Sequence, residues 1–257
     1  MKRSFYCTEF TLKMIALIFM IIDHIHTYLR IWPEWISLFP RFVAPLFVYF
    51  LVEGFYHTRN WKKYFQRIFI FALIMLAGNM VINYTFHAVN LITGQMDFYS
   101  LYQGNNIFLT LAVYLLILKL LQLTKSNRGI KKYSSILGVA VLSILSLPFC
   151  EGSLYLLPLL FLFYFAYGKK KIIYVGIIAW SLILFMKALV SYYSGGTGIS
   201  LFSTLCFSSE WAMIATVIPI YLYSGERGNN SNTAKWLFYI IYPVHLWILR
   251  ILLNILD

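Results

Sequence analysis

The chain is a succession of apolar runs, each about as long as a lipid bilayer is thick, and few folds accommodate that pattern. The hydrocarbon layer is about 30 Å thick and a helix rises 1.5 Å per residue, so about 20 apolar residues cross it. Backbone N–H and C=O groups find no partner in lipid, so each run has to close its own hydrogen bonds as a helix. Nine such runs are read, at 10–31, 36–57, 64–87, 105–124, 133–150, 153–168, 171–190, 203–223 and 236–254. The expected fold class is therefore all-α, a polytopic transmembrane helix bundle of about nine spans, taken as a single domain over 1–257. Charged residues are only 12% of the chain, about half the fraction a soluble domain carries. The sixth and eighth runs could be short or broken, and the polar loops 88–104 and 191–210 could dip back into the bilayer.

A net charge of +12 invites a nucleic-acid reading, and the placement of the charge rejects it. With the N-terminus inside, the inner basic residues are Lys2, Arg3 and Lys13; Arg59, Lys62, Lys63 and Arg67; Lys119, Lys125, Arg128, Lys131 and Lys132; Lys169 to Lys171; and Arg227 and Lys235. These are 17 of the 21 Lys and Arg, leaving Arg30, Arg41, Lys187 and Arg250 outside. Positive charge retained on the cytoplasmic side orients such a chain, so the N-terminus is expected in the cytoplasm and the C-terminus outside. The same charge favours anionic lipid headgroups, Lys169 to Lys171 above all. The first run, Phe10 to Leu29, is longer than a leader core and is read as a span. Cys7, Cys150 and Cys206 are too far apart for a metal or redox motif, and no metal is expected.

The informative residues are polar ones placed where lipid should exclude them, because an ionisable group at membrane depth is costly. The first span holds Lys13, Asp23, His24 and His26. Eleven positions bring His24 to within about 20° of the face of Lys13 and raise it about 16 Å. A cation near the inner end thus stands in line with a titratable imidazole deeper in the membrane. That arrangement suits a long anionic donor whose reactive end must reach a buried base. His26 turns about 200° from His24 and reads as a packing or interfacial residue. Asp23, beside His24, is expected either to pair with a cation on a neighbouring helix, Arg41 being nearest in sequence, or to orient a histidine. Glu53 and His57 are one turn apart at the inner end of the second span. With Arg59 they could hold phosphate, or they could be an ordinary cationic helix end. In the last span Pro243 removes a backbone donor just before His245. Asn79, Asn83, Asn106, Thr110 and Glu151 are weaker leads, each able to bond across helices. Trp236, Tyr239 and Trp247 read as belt or packing aromatics.

Several of these stretches together resemble the TraX-like membrane proteins, the group named after the acetyltransferase that acetylates the N-terminus of conjugative pilin. They are Leu12-Lys13-Met14-Ile15-Ala16 leading to Ile22-Asp23-His24-Ile25, and Pro40-Arg41-Phe42 leading to Val52-Glu53-Gly54-Phe55 and His57-Thr58-Arg59-Asn60. Asn106-Ile107-Phe108-Leu109-Thr110 and Tyr242-Pro243-Val244-His245-Leu246 complete the set. The Lys13–His24 spacing also resembles that of the type-three membrane acyltransferases. The resemblance implies an acetyltransferase that takes acetyl-CoA from the cytoplasm and sits in the bacterial inner membrane. Lys13, Glu53, His57 and Arg59 would receive the coenzyme, and His24, Asp23, Arg41 and His245 would form the catalytic group. The acceptor would be an amine or hydroxyl of a surface peptide or an envelope glycan. A proton-coupled transporter using Asp23, His24, Glu53 and His245 as a relay is the alternative, and a non-catalytic assembly factor is a third.

Overall fold

The computed structural model describes residues 6–90, 92–195, 198–229 and 231–256, so Lys2 and Arg3 lie outside it, as does the side chain of Lys235. In chain order the elements are α1 (Glu9–Leu29), a 3-10 segment (Glu34–Phe42) running into α2 (Val43–His57), α3 (Trp61–Thr85) and α4 (Phe98–Tyr102). There follow α5 (Ile107–Ser126), α6 (Ile130–Phe149), α7 (Ser153–Phe165), α8 (Lys170–Gly195), α9 (Leu201–Phe207), a second 3-10 segment (Ser209–Thr216), α10 (Val217–Leu222) and α11 (Asn232–Leu256). The protein is an all-helical membrane protein. Seven helical stretches among the described residues are long and apolar enough to cross a bilayer. The bent pair Leu201–Phe207 and Ser209–Leu222, which turns by 61° at its break, makes an eighth if it crosses as one span. The sixth expected span, α7, has only 13 residues, about 20 Å of helix against a layer of about 30 Å.

Local chemistry sets these boundaries. Thr8 caps α1 through the Thr11 amide, and Arg30 ends it in a left-handed conformation at φ 50°. Asn60 caps α3 and Asn106 caps α5, each accepting from an amide three residues on. Both 3-10 segments are followed three residues later by a proline, Pro45 and Pro219. Each missing N–H leaves a carbonyl, of Arg41 and of Ala215, without its α-helical donor, and the tighter winding sits there.

The chain packs as two compact units, Met1–Phe50 with Phe161–Ile240, and Leu51–Leu160 with Ile241–Asp257. In the first unit α1 packs on the segment Glu34–Phe42, which packs on Ser209–Thr216, and that in turn on α8. Tyr49, Phe50, Phe163 and Tyr223 form an edge-to-face aromatic core with centroids 5.3 to 6.1 Å apart. The chain at the start of α1 is stitched to the end of α10 and the residues beyond it, Cys7 N–H to the Leu222 carbonyl and Glu9 N–H to that of Glu226. In the second unit α5 packs on α3 and α6, and Tyr114, Leu115, Ile117 and Leu118 of α5 are wholly buried. Here the chain does turn back on itself after α3. Asn83 Nδ2 donates to the carbonyls of Leu101 and Gln103, Asn79 Nδ2 to that of Asn105, and Asn106 Nδ2 to that of Ala72. The segment 101–106 therefore descends along α3 over 11 residues of helix, about 16 Å.

Candidate active site

The leading candidates lie on α1, which is unbroken from Glu9 to Leu29. Lys13, Leu17, Met20 and His24 form one row on it. Leu17 and Met20 are buried, whereas Ile15 and Ile18 on the other side are exposed, so this row faces the unit's interior. Leu12, Ala16 and Asp23 form the adjacent row, and Leu12 and Ala16 are buried too. Asp23 and His24 thus occupy neighbouring rows of one packed stripe, which at about 100° is wide enough for both. Lys13 pairs with Glu9 one turn earlier, and its ammonium lies 5.3 Å from the centroid of the buried Phe50 ring. A carboxylate and the negative ring face hold the cation at the inward surface.

Asp23 has the cation partner expected for it. Arg41 Nη2 lies 3.2 Å from Asp23 Oδ1, in a pair whose side chains are 29% and 17% exposed. Arg41 Nε donates to the Ser37 carbonyl at 2.9 Å, and Ser37 Oγ donates to the Cys206 carbonyl at 2.9 Å. The guanidinium thereby joins the first 3-10 segment to α1, and the Ser37 hydroxyl joins that segment to α9.

In the second unit, the end of α2 carries Glu53 half-buried and His57 and Arg59 exposed. His57 Nδ1 is 2.9 Å from the Glu53 carbonyl and 3.7 Å from its Oε2. A carbonyl only accepts, so Nδ1 donates there. A second polar group surrounds Glu151, in the turn between α6 and α7. Its Oε1 accepts from Asn105 Nδ2 at 2.7 Å, its Oε2 from the Tyr242 hydroxyl at 3.1 Å, and its carbonyl from Thr110 Oγ1 at 3.0 Å. The Tyr242 hydroxyl itself accepts from the Ile107 amide. His245 lies one turn beyond on α11, which continues through Pro243. Its Nδ1 is 2.7 Å from the Ile241 carbonyl, so Nδ1 donates there too. The His245 ring stands edge-on to Tyr242 with centroids 5.9 Å apart.

The profile of the TraX protein family matches residues 9–253, from the start of α1 to near the end of α11. The chain belongs to the TraX family. Over 268 aligned positions it is 28% identical to a protein of Dichelobacter nodosus described as "Probable fimbrial assembly protein FimC, serogroup H1", with 97% of each chain covered. No solved structure matches it.

Two partners in this TraX family member escaped the sequence reading. Glu9 could have been found, because its four-residue spacing to Lys13 is the ordinary helical ion-pair signal. The joining of Asn105, Tyr242 and Glu151 could not, since their contacts span 46 and 91 residues of sequence. Asn79, Asn83, Asn106 and Thr110 do bond across the unit, as polar residues inside a bundle should. Trp247 packs on Gly78 and donates to Asn79 at 3.3 Å, a packing role.

Proposed function

We propose that the protein is an acetyltransferase of the bacterial inner membrane, moving acetyl groups from cytoplasmic acetyl-CoA to an amine or hydroxyl at or beyond the outer side. The acceptor class is a surface peptide such as a pilin-like chain, or an envelope glycan. Membership of the TraX family supports the reading, and the observation that carries it is the inward row on α1. Lys13 and His24 lie on one continuous helix, both on the face turned from lipid. The basic residues put the Lys13 end in the cytoplasm, where the donor is. The ammonium of Lys13 has three donor hydrogens, so its pairing with Glu9 leaves capacity for a phosphate oxygen. Arg59, just beyond the end of α2 that carries Glu53 and His57, is a further candidate for a phosphate oxygen.

The chemistry is one displacement. His24 takes the proton of the acceptor O–H or N–H as the acceptor atom attacks the thioester carbonyl carbon. The C–S bond breaks, the new ester or amide forms, and the proton passes to the departing coenzyme sulfur. The Arg41–Asp23 pair, one row away on the same stripe, fixes the electrostatics beside the base. His24→Ala should abolish transfer while the protein still inserts and purifies. Mass spectrometry of surface peptides and envelope glycans, from cells carrying either form, reads the result. Wild-type acetylation with His24→Ala would refute the assignment.

A second reading, a proton-coupled transporter, has an observation of its own: the spans Glu34–His57 and Leu201–Leu222 are interrupted by 3-10 winding, as transporter helices are at their sites. Thermal stabilisation by acetyl-CoA in detergent, reduced in Lys13→Ala and Arg59→Ala, separates the two. A transporter of this kind shows none.

A further inference from the structure

The descent of segment 101–106 places irregular backbone where lipid cannot solvate it. Asn106 meets α3 at Ala72, 11 residues from Trp61 and 13 from Thr85, which is about 16 Å from one end of that helix and 20 Å from the other. The Trp61 end is the basic one, since Lys119 Nζ lies 5.4 Å from the Trp61 ring centroid and Lys62 and Lys63 follow it. Residues 103–106 are non-helical, and Gly104 among them is exposed. A side chain could not cover it. Its φ is +141°, and a Cβ would come within 2.7 Å of Arg250 Nη1 and 2.9 Å of Asn79 Nδ2. Gly104 itself lies beside Asn79, six residues or about 9 Å inside the Thr85 end of α3, and exposed non-helical backbone there needs water, because lipid would leave its polar groups unbonded.

Glu151, an ionisable side chain bonded to the same segment, points to the same conclusion. Asn105 Nδ2 and the Tyr242 hydroxyl approach its two oxygens, and the Tyr242 oxygen is itself an acceptor for Ile107 N–H. Both carboxyl oxygens of Glu151 thus accept hydrogen bonds, one from an amide and one from a hydroxyl. An ionisable group at membrane depth belongs to a water-filled or polar interior.

We propose that Gln103–Asn106 and Glu151 line a water-filled entrance, opening on the face away from the basic end, that admits the hydroxyl- or amine-bearing acceptor. The identity of the occupant rests on the acetyl-transfer reading, whereas the entrance itself does not. Asn79, Asn83 and Arg250 hold the backbone of its wall, Arg250 Nη1 donating to the Gln103 carbonyl at 3.4 Å.

The test is thiol labelling in intact cells, with Cys7, Cys150 and Cys206 replaced by alanine. Gln103→Cys should react with a membrane-impermeant cationic methanethiosulfonate. Tyr99→Cys in the preceding loop should react as well, and Ile144→Cys on the lipid-exposed side of α6 should not. Replacing the carboxylate by Glu151→Gln should lower the cationic-to-anionic reagent rate ratio of the Gln103→Cys thiol about threefold, and Glu151→Asp should preserve it. If Gln103→Cys reacts only with membrane-permeant N-ethylmaleimide, the entrance is wrong. A ratio unmoved by Glu151→Gln removes Glu151 from it. Failure of acetyl-CoA to stabilise the protein would sink the transfer reading and leave this labelling pattern unaltered.

Discussion

Removing the Arg41 guanidinium strands the Asp23 carboxylate on the packed face of α1, and the size of the effect follows from the geometry. One contact of 3.2 Å joins them, with side chains 29% and 17% exposed. At an effective dielectric of about 20 the gross Coulomb attraction is about 5 kcal/mol. Desolvation of both groups offsets most of it. Fully exposed pairs contribute about 0.2–1 kcal/mol, while breaking a buried pair costs about 3–5. A partly exposed single contact belongs between these, so a coupling energy of about 1.5 kcal/mol is expected, about tenfold in the folding equilibrium. The cycle of Asp23→Ala, Arg41→Ala and the double variant measures it, by reversible unfolding in mixed detergent micelles followed by tryptophan fluorescence. Arg41→Ala should be the worse single change, since it also frees the Ser37 carbonyl, whereas Asp23→Ala leaves the Arg41–Ser37 bond in place. A coupling within about 0.3 kcal/mol of zero would refute the claim that this pair is more than a surface contact.

Two further outcomes can be checked. Asn106→Ala removes the cap on Leu109 N–H and the bond to Ala72. It should cost about 2 kcal/mol in the same unfolding assay, with Asn106→Ser recovering only the capping part. Asp97 accepts from the Ser100 amide and from Asn90, which holds its carboxyl below the usual carboxylate range. A depressed folded-state pKa stabilises above the unfolded value of about 4 and is lost as pH falls through the folded one. Amide exchange at Ser100, corrected for intrinsic rate, should therefore hold steady down to about pH 4 and quicken as pH falls further, and Asp97→Ala should remove the difference.

The fold class was legible because lipid imposes one requirement on every span, and an apolar run long enough to cross can meet it only as a helix. Each of the nine runs carries helix among its described residues, but seven helical stretches are long and apolar enough to cross, because α7 is short and the Leu201–Leu222 stretch is broken. The Lys13–His24 row was readable for a similar reason: helical periodicity is local, so spacing alone places both on one face. Tertiary structure decided which way that face points, through the burial of Leu17 and Met20. It also decided that Asp23 shares the stripe and that Arg41 reaches it from a 3-10 segment. The grouping of Asn105, Tyr242 and Glu151 belongs wholly to the tertiary level. A polar residue in a span announces that it needs a partner, but which one it finds depends on how the chain turns back after α3, and hydrophobic periodicity carries no record of that path.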